Sequence, residues 1–236
     1  MKKVLVSISL MILLISACSP QAQATDLPSE IEEQATQINV DLTPAQRIAI
    51  STLAENLGIT PEQIKLVSTE AVDWPDSCLG IVTENISCAE AITSGFRVIL
   101  EASGKQVEYR TNQDATIIRP ATVALTWNRA GGVAGFCDNL TIFLSGEVQG
   151  TTCKNVEAVE KRLTDLLSAE QIATLNEWVS KYGVVEIDAS DPQGVADAMT
   201  VRLKLTGTGT EQITSPEVQQ VLLQFVQDLN QKLVNQ

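Results

Sequence analysis

The chain has 236 residues, with 16 Lys and Arg against 29 Asp and Glu, a formal net charge of −13, and no histidine. The acidity argues against a nucleic-acid backbone as partner, which needs a basic footprint. The lack of histidine removes the commonest general base, the commonest metal ligand and every catalytic triad that relies on imidazole, so the sequence points away from an enzyme.

The N-terminus opens with Lys2 and Lys3, followed by an apolar run over residues 4–15. That run has the length of a signal-peptide core and is too short to span a bilayer as a permanent helix. Ile15-Ser16-Ala17-Cys18 follows and resembles the lipobox of bacterial lipoproteins. The resemblance implies that residues 1–17 are a cleaved signal peptide. Cys18 then becomes a diacylated N-terminus, carrying fatty acids such as palmitate. The protein is expected to sit outside the cytoplasm, lipid-anchored to the cell membrane or outer membrane. The alternative is an ordinary signal peptide that contains a cysteine. Residues 18–41 are polar and poor in large apolar side chains, and read as a flexible tether.

Ordered elements begin with a helix near residue 43. Thr43 is a candidate N-cap, Pro44 suits the first helical position, and Gln46 completes a capping box. Ile50, Leu53 and Leu57 form its apolar stripe, and Gly58 is a natural stop. Residues 60–63 repeat the cap pattern for one turn. Residues 64–74 read as a strand, and residues 96–111 as a hairpin turning at Ser103-Gly104. Residues 115–121 close a first unit, residues 42–120, in which a helix is followed by several antiparallel strands.

Residues 121–236 read as a second unit. Val123, Leu125 and Trp127 alternate onto one face of a strand, as do Leu140, Ile142 and Leu144. The segment 155–167 is ambiguous between strand and helix. Ser168 and Gln171 open a helix with Ile172, Leu175, either Trp178 or Val179, and Tyr182 as its apolar stripe. Met199, Val201, Leu203 and Leu205 form another strand face, and Ser215-Pro216 opens a last helix with Val218, Leu222, Phe225, Leu229 and Leu233. The predicted fold class is α+β, with two small domains, each an antiparallel sheet packed with one or two helices.

Setting Cys18 aside leaves Cys78, Cys88, Cys137 and Cys153, which in an exported chain suggest two disulfides. Three connectivities are possible. The local pairing, Cys78 with Cys88 and Cys137 with Cys153, keeps each bridge inside one unit and is favoured. A zinc site is disfavoured by the wide spacings and the lack of CxxC.

Other constellations carry little chemistry. The 131–135 glycine cluster lacks the spacing of a phosphate loop. Gly207-Thr208-Gly209-Thr210 fails likewise and is expected to be a hairpin turn. Asp188, Asp191 and Asp197 lack calcium-loop spacing, and Asp191-Pro192 suggests a turn. No metal and no cofactor are expected. Asn85-Ile86-Ser87 and Asn139-Leu140-Thr141 match glycosylation sequons by accident.

Two segments resemble known families. Trp74-Pro75-Asp76-Ser77, Leu79-Gly80, Gly95-Phe96-Arg97-Val98 and Tyr109-Arg110-Thr111 are similar to a segment recurring in uncharacterised exported bacterial proteins, and that resemblance implies no function. Residues 123–233 resemble emfourin, the protealysin inhibitor family. The likeness rests on Arg129-Ala130-Gly131-Gly132-Val133-Ala134-Gly135, a helix ending at Trp178–Tyr182, a strand over 197–205 and a last helix over 216–233. Val133 stands where the family has an aromatic, and the cysteines at 137 and 153 are additional. This resemblance implies a protein-binding role, with a secreted thermolysin-like metalloprotease as partner. Arg129, Gly131, Gly132, Val133 and Gly135 would form part of the contact. A plain hairpin turn needing positive φ accounts for the same glycines without a partner. The alternative function is a structural or scaffolding envelope lipoprotein with no protease partner.

Overall fold

In the computed structural model, residues 41–81, 87–152 and 161–235 are described. The expected signal peptide, Cys18, the expected tether as far as residue 40, Asn85, Cys153 and residues 155–160 lie outside them.

Helix α1 (Pro44–Leu57) starts where the capping box places it. The Thr43 hydroxyl accepts from Gln46 N–H, and the Gln46 side chain accepts from Thr43 N–H. It ends at Gly58 in the left-handed region (φ 64°). A single 3-10 turn at Pro61–Gln63 leads into β1 (Lys65–Trp74). β2 (Thr93–Ala102) and β3 (Lys105–Asn112) form the expected hairpin, with Ser103 and Gly104 both at positive φ, and β4 (Ile118–Pro120) follows. The four strands pair antiparallel in the order β1-β2-β3-β4. Ala49, Leu53, Val98, Leu100, Val107 and Tyr109 make the core between this sheet and α1.

The second sheet has six strands: β5 (Val123–Gly131), β6 (Phe136–Phe143), β7 (Glu147–Thr152), β8 (Lys161–Leu166), β9 (Val184–Asp188) and β10 (Met199–Thr206). Its order is β8-β7-β6-β5-β10-β9, and every pairing is antiparallel. The ambiguous segment therefore ends as strand β8. Helices α2 (Ala169–Lys181) and α3 (Pro216–Val234) bury Leu175, Trp178, Val179, Leu222, Val226 and Leu229 in the same core as Leu125, Trp127, Leu140, Leu203 and Leu205. Phe225 meets Trp178 edge to face at 5.0 Å. The fold is thus α+β, and among the described residues one α-helix serves the first sheet and two the second.

The sheets have separate cores, and Leu144 packs against both. A polar cluster lies beside it. Asn56 Nδ2 donates to the Tyr109 hydroxyl (3.2 Å), and that hydroxyl donates to Glu147 Oε2 (3.2 Å), which also accepts from Ser145 Oγ (2.8 Å).

Two sequence expectations need correction. Val123 does not share a face with Leu125 and Trp127. A β-bulge between Val123 and Leu125 pairs Val123 with Phe143 and Leu125 with Ile142, so the two residues fall on opposite faces. Residues 207–210 are not a hairpin turn. Gly207, Thr208 and Gly209 run against the C-terminal end of α2 and donate to the carbonyls of Gly183 (3.1 Å), Val179 (2.7 Å) and Tyr182 (2.9 Å). They satisfy carbonyls that a helix end leaves open. Glycine is required there because a β-carbon at Gly209 would stand 2.2 Å from the Lys181 carbonyl.

Candidate functional site

The five residues singled out in the glycine stretch meet on the β5–β6 hairpin. Gly131, Gly132 and Gly135 have φ of 84°, 73° and 60°, the region where glycine carries no side-chain penalty. Gly135 N–H donates to Gly132 O at 2.9 Å and closes the turn. Gly131 has a further role. A β-carbon there would stand 2.5 Å from the Ala198 carbonyl oxygen, and Gly132 N–H donates to that same oxygen at 3.2 Å. The backbone that the glycines admit is the chain's own 189–198 connection. Val133, at the tip, is 93% exposed, more than any other large hydrophobic among the described residues.

Arg129 sits behind the tip, on the face shared with Trp127. Its Nε and Nη2 lie 3.0 and 2.5 Å from Asp138 Oδ2. Its guanidinium carbon stands 3.8 Å from the centroid of the Phe136 ring and 5.3 Å from that of Trp127. Asp138 Oδ1 accepts from the Thr152 hydroxyl at 2.7 Å. The Asp138 side chain is only 3% exposed, and these partners offset the cost of burying it. Arg129 therefore braces the hairpin from within, and Val133 is the outermost member of the set.

Cys78 and Cys88 are bonded, with Cα atoms 5.6 Å apart. Cys137 is also disulfide-bonded. The favoured pairing for it, Cys153, lies outside the described residues.

The recurring segment of the first sheet converges on one clamp. Trp74 Nε1 donates to Thr111 O (3.0 Å), and the Arg110 guanidinium carbon stands 4.8 Å from the Trp74 ring centroid. Arg110 also donates to the carbonyls of Leu79 and Gly80, both at 3.0 Å. Asp76 Oδ1 accepts from Cys78 and Gly80 N–H groups. A β-carbon at Gly95 would collide with the Thr111 carbonyl oxygen, at 1.8 Å. These motif residues hold the disulfide loop against the sheet.

The aspartates of the 188–197 region shape turns. Asp188 Oδ1 accepts from Ser190 N–H, and Asp191 Oδ2 from Met199 N–H (2.8 Å). Asn139, in the second sequon, lies within β6 and is bonded on both sides. Asn128 Nδ2 donates to its Oδ1 (2.5 Å), and its Nδ2 donates to Thr151 Oγ1 (3.3 Å).

That amide row belongs to a feature the sequence reading missed. The sheet face opposite the helices carries a groove of about 690 Å³, lined by Thr126, Asn128, Asn139, Thr141 and Thr151 and bordered by Arg202, Lys204, Glu186 and Asp188. Val123 and Phe143 line it too, with Ile81 from the disulfide loop of the first sheet. The only signal in the sequence was the polar half of each strand's alternation, which reads as an ordinary solvated face.

Residues 46–120 match the family model of a domain of unknown function, DUF8738. The match covers α1 from Gln46 onward and the whole four-stranded sheet. No curated protein and no solved structure matches the chain.

Proposed function

We propose that this chain is an extracytoplasmic lipoprotein, anchored through Cys18, that acts by binding another protein. In this reading the six-stranded unit inhibits or regulates a secreted thermolysin-like metalloprotease, with the 131–135 hairpin as part of the contact. The observation that carries the reading is the exposure of Val133 on a turn held by three positive-φ glycines and braced by Arg129 and Asp138. A preformed loop loses little conformational freedom on binding, so an apolar side chain displayed on it contributes more of its contact energy to affinity. Val195, 50% exposed, lies in the 189–198 connection at the same end of the sheet and extends the apolar display. The inhibitor would need no histidine or metal of its own, since the target supplies the zinc.

The test is titration of the purified mature chain against a panel of thermolysin-like proteases, including one from the same organism. Inhibition that weakens in Val133→Asp supports the reading. No inhibition at micromolar concentration, or slow hydrolysis of the chain without inhibition, favours the scaffolding alternative.

A further inference from the structure

We propose that the groove on the open face of the six-stranded sheet binds an uncharged oligosaccharide. This goes beyond the hairpin contact and uses different residues. The first argument is charge. In a chain of net charge −13, the groove's border carries two basic and two acidic side chains. They pair across neighbouring strands, Lys204 Nζ to Glu186 Oε1 at 3.0 Å and Arg202 Nε to Asp188 Oδ2 at 3.7 Å. Paired charges leave no field to select an anion or a cation, so a neutral ligand fits best.

The second argument is hydrogen-bonding character. The amides of Asn128 and Asn139 donate in sequence to Asn139 and Thr151, across β5, β6 and β7. That chain fixes the orientation of both amides. It leaves Asn128 Oδ1 as an acceptor without a partner among the described residues, and the exposed Thr126 hydroxyl is in the same state. Fixed amides beside hydroxyls offer donors and acceptors side by side, which suits the hydroxyl groups of a sugar. Ile81 and Val123, both half-buried, add an apolar wall for the ring C–H groups. The volume lies within the roughly 300–1,000 Å³ of small-ligand sites. An extended peptide is a poorer fit, because peptides add to a sheet edge and this groove lies on a face.

The experiment is calorimetry on the full mature chain with neutral oligomers of N-acetylglucosamine, glucose and mannose. A heparin oligosaccharide serves as the charged comparison. At least one neutral oligomer should bind, with the same affinity at low and high salt. Thr126→Trp, which projects from an exposed position into the groove, should weaken binding by about tenfold or more, equivalent to one or two lost hydrogen bonds. Asn128→Ala is the second variant should the tryptophan disturb the fold by circular dichroism. Val133→Asp should bind the oligomer as wild type does, which separates this site from the hairpin. Failure of every neutral oligomer at millimolar concentration, binding of heparin alone, or wild-type affinity in both groove variants would overturn the proposal.

Discussion

The hydroxyl of Tyr109, on the four-stranded sheet, donates to the carboxylate of Glu147, on the six-stranded sheet, at 3.2 Å. The bond lies beside Leu144, where the two cores meet. Burial pushes the Glu147 carboxyl above the ordinary carboxylate range, against the opposing pull of hydrogen bonds from Ser145 and Tyr109. Burial also pushes the Tyr109 phenol up, helped by the Glu147 charge.

The raised Glu147 sets a pH dependence. Its folded-state pKa exceeds the unfolded value, so the stability it contributes is complete below the unfolded carboxylate pKa and is lost as pH rises through the folded one. Glu147→Gln keeps the shape and cannot ionise. Thermal melts should show the variant gaining on wild type as pH rises from acid to neutral. A gap that stays flat over that window would show that burial does not disfavour the charge.

The hairpin glycines should differ in cost. Gly131→Ala meets both a positive φ and the Ala198 carbonyl, and is expected to lose about 2–3 kcal/mol. Gly135→Ala meets open space and only the left-handed backbone, and should lose about 1 kcal/mol. Chemical denaturation of both variants gives the comparison. Equal losses would mean that the Ala198 contact is not tight.

Breaking the Arg129–Asp138 pair should destabilise more than either charge suggests. Arg129→Met leaves a buried carboxylate without its cation, a loss of about 3 kcal/mol or more. The double variant Arg129→Met with Asp138→Leu should recover part of that loss. A double variant no more stable than the single one would argue that the pair's hydrogen bonds, including that from Thr152, outweigh the burial of charge.

Non-reducing peptide mapping should join Cys78 to Cys88 and Cys137 to Cys153. Asn139 pairs with Thr151 across β6 and β7, Cys137 precedes Asn139 by two residues in β6, and Cys153 follows Thr151 by two residues in the sequence. Removing the Cys78–Cys88 bridge is expected to cost on the order of 3 kcal/mol by freeing its short loop in the unfolded chain. A peptide linking Cys78 to Cys137 or Cys153 would contradict the local pairing.

Cys18→Ser tests the anchor. The variant should lose its acyl mass and either leave the membrane fraction or keep its signal peptide, since two acyl chains suffice for stable attachment. Wild-type fractionation and migration would remove the lipid anchor from the proposed function.

The helices were legible because their signals are local. Thr43 with Gln46, and Ser168 with Gln171, act within one turn, and the apolar stripes repeat inside each element. The alternation of Met199 to Leu205 was legible for the same reason. What escaped depends on distant partners. The bulge at Val123 answers to its pairing with Phe143, and the role of residues 207–210 appears only beside α2. The groove unites side chains of five strands and one residue of the other sheet's loop, each of which reads alone as solvated. Arg129 stands in the sequence as part of a contact motif, and its neighbours Asp138 and Phe136 show that it packs behind the hairpin tip.

The strand order of the larger sheet has a consequence for how the chain is made. β5 is paired on one side with β6, the next strand in sequence, and on the other with β10, which follows α2 and β9. A nascent chain can close the β5–β8 meander from local contacts. The central seam, where Leu203 meets Trp127 and Leu205 meets Leu125, waits until Thr206 has been synthesised. Closure across so long an interval is slow compared with hairpin formation. Until then the Trp127 row lacks its partner strand, and a chain ended before Met199 would present that row as an open, adhesive edge.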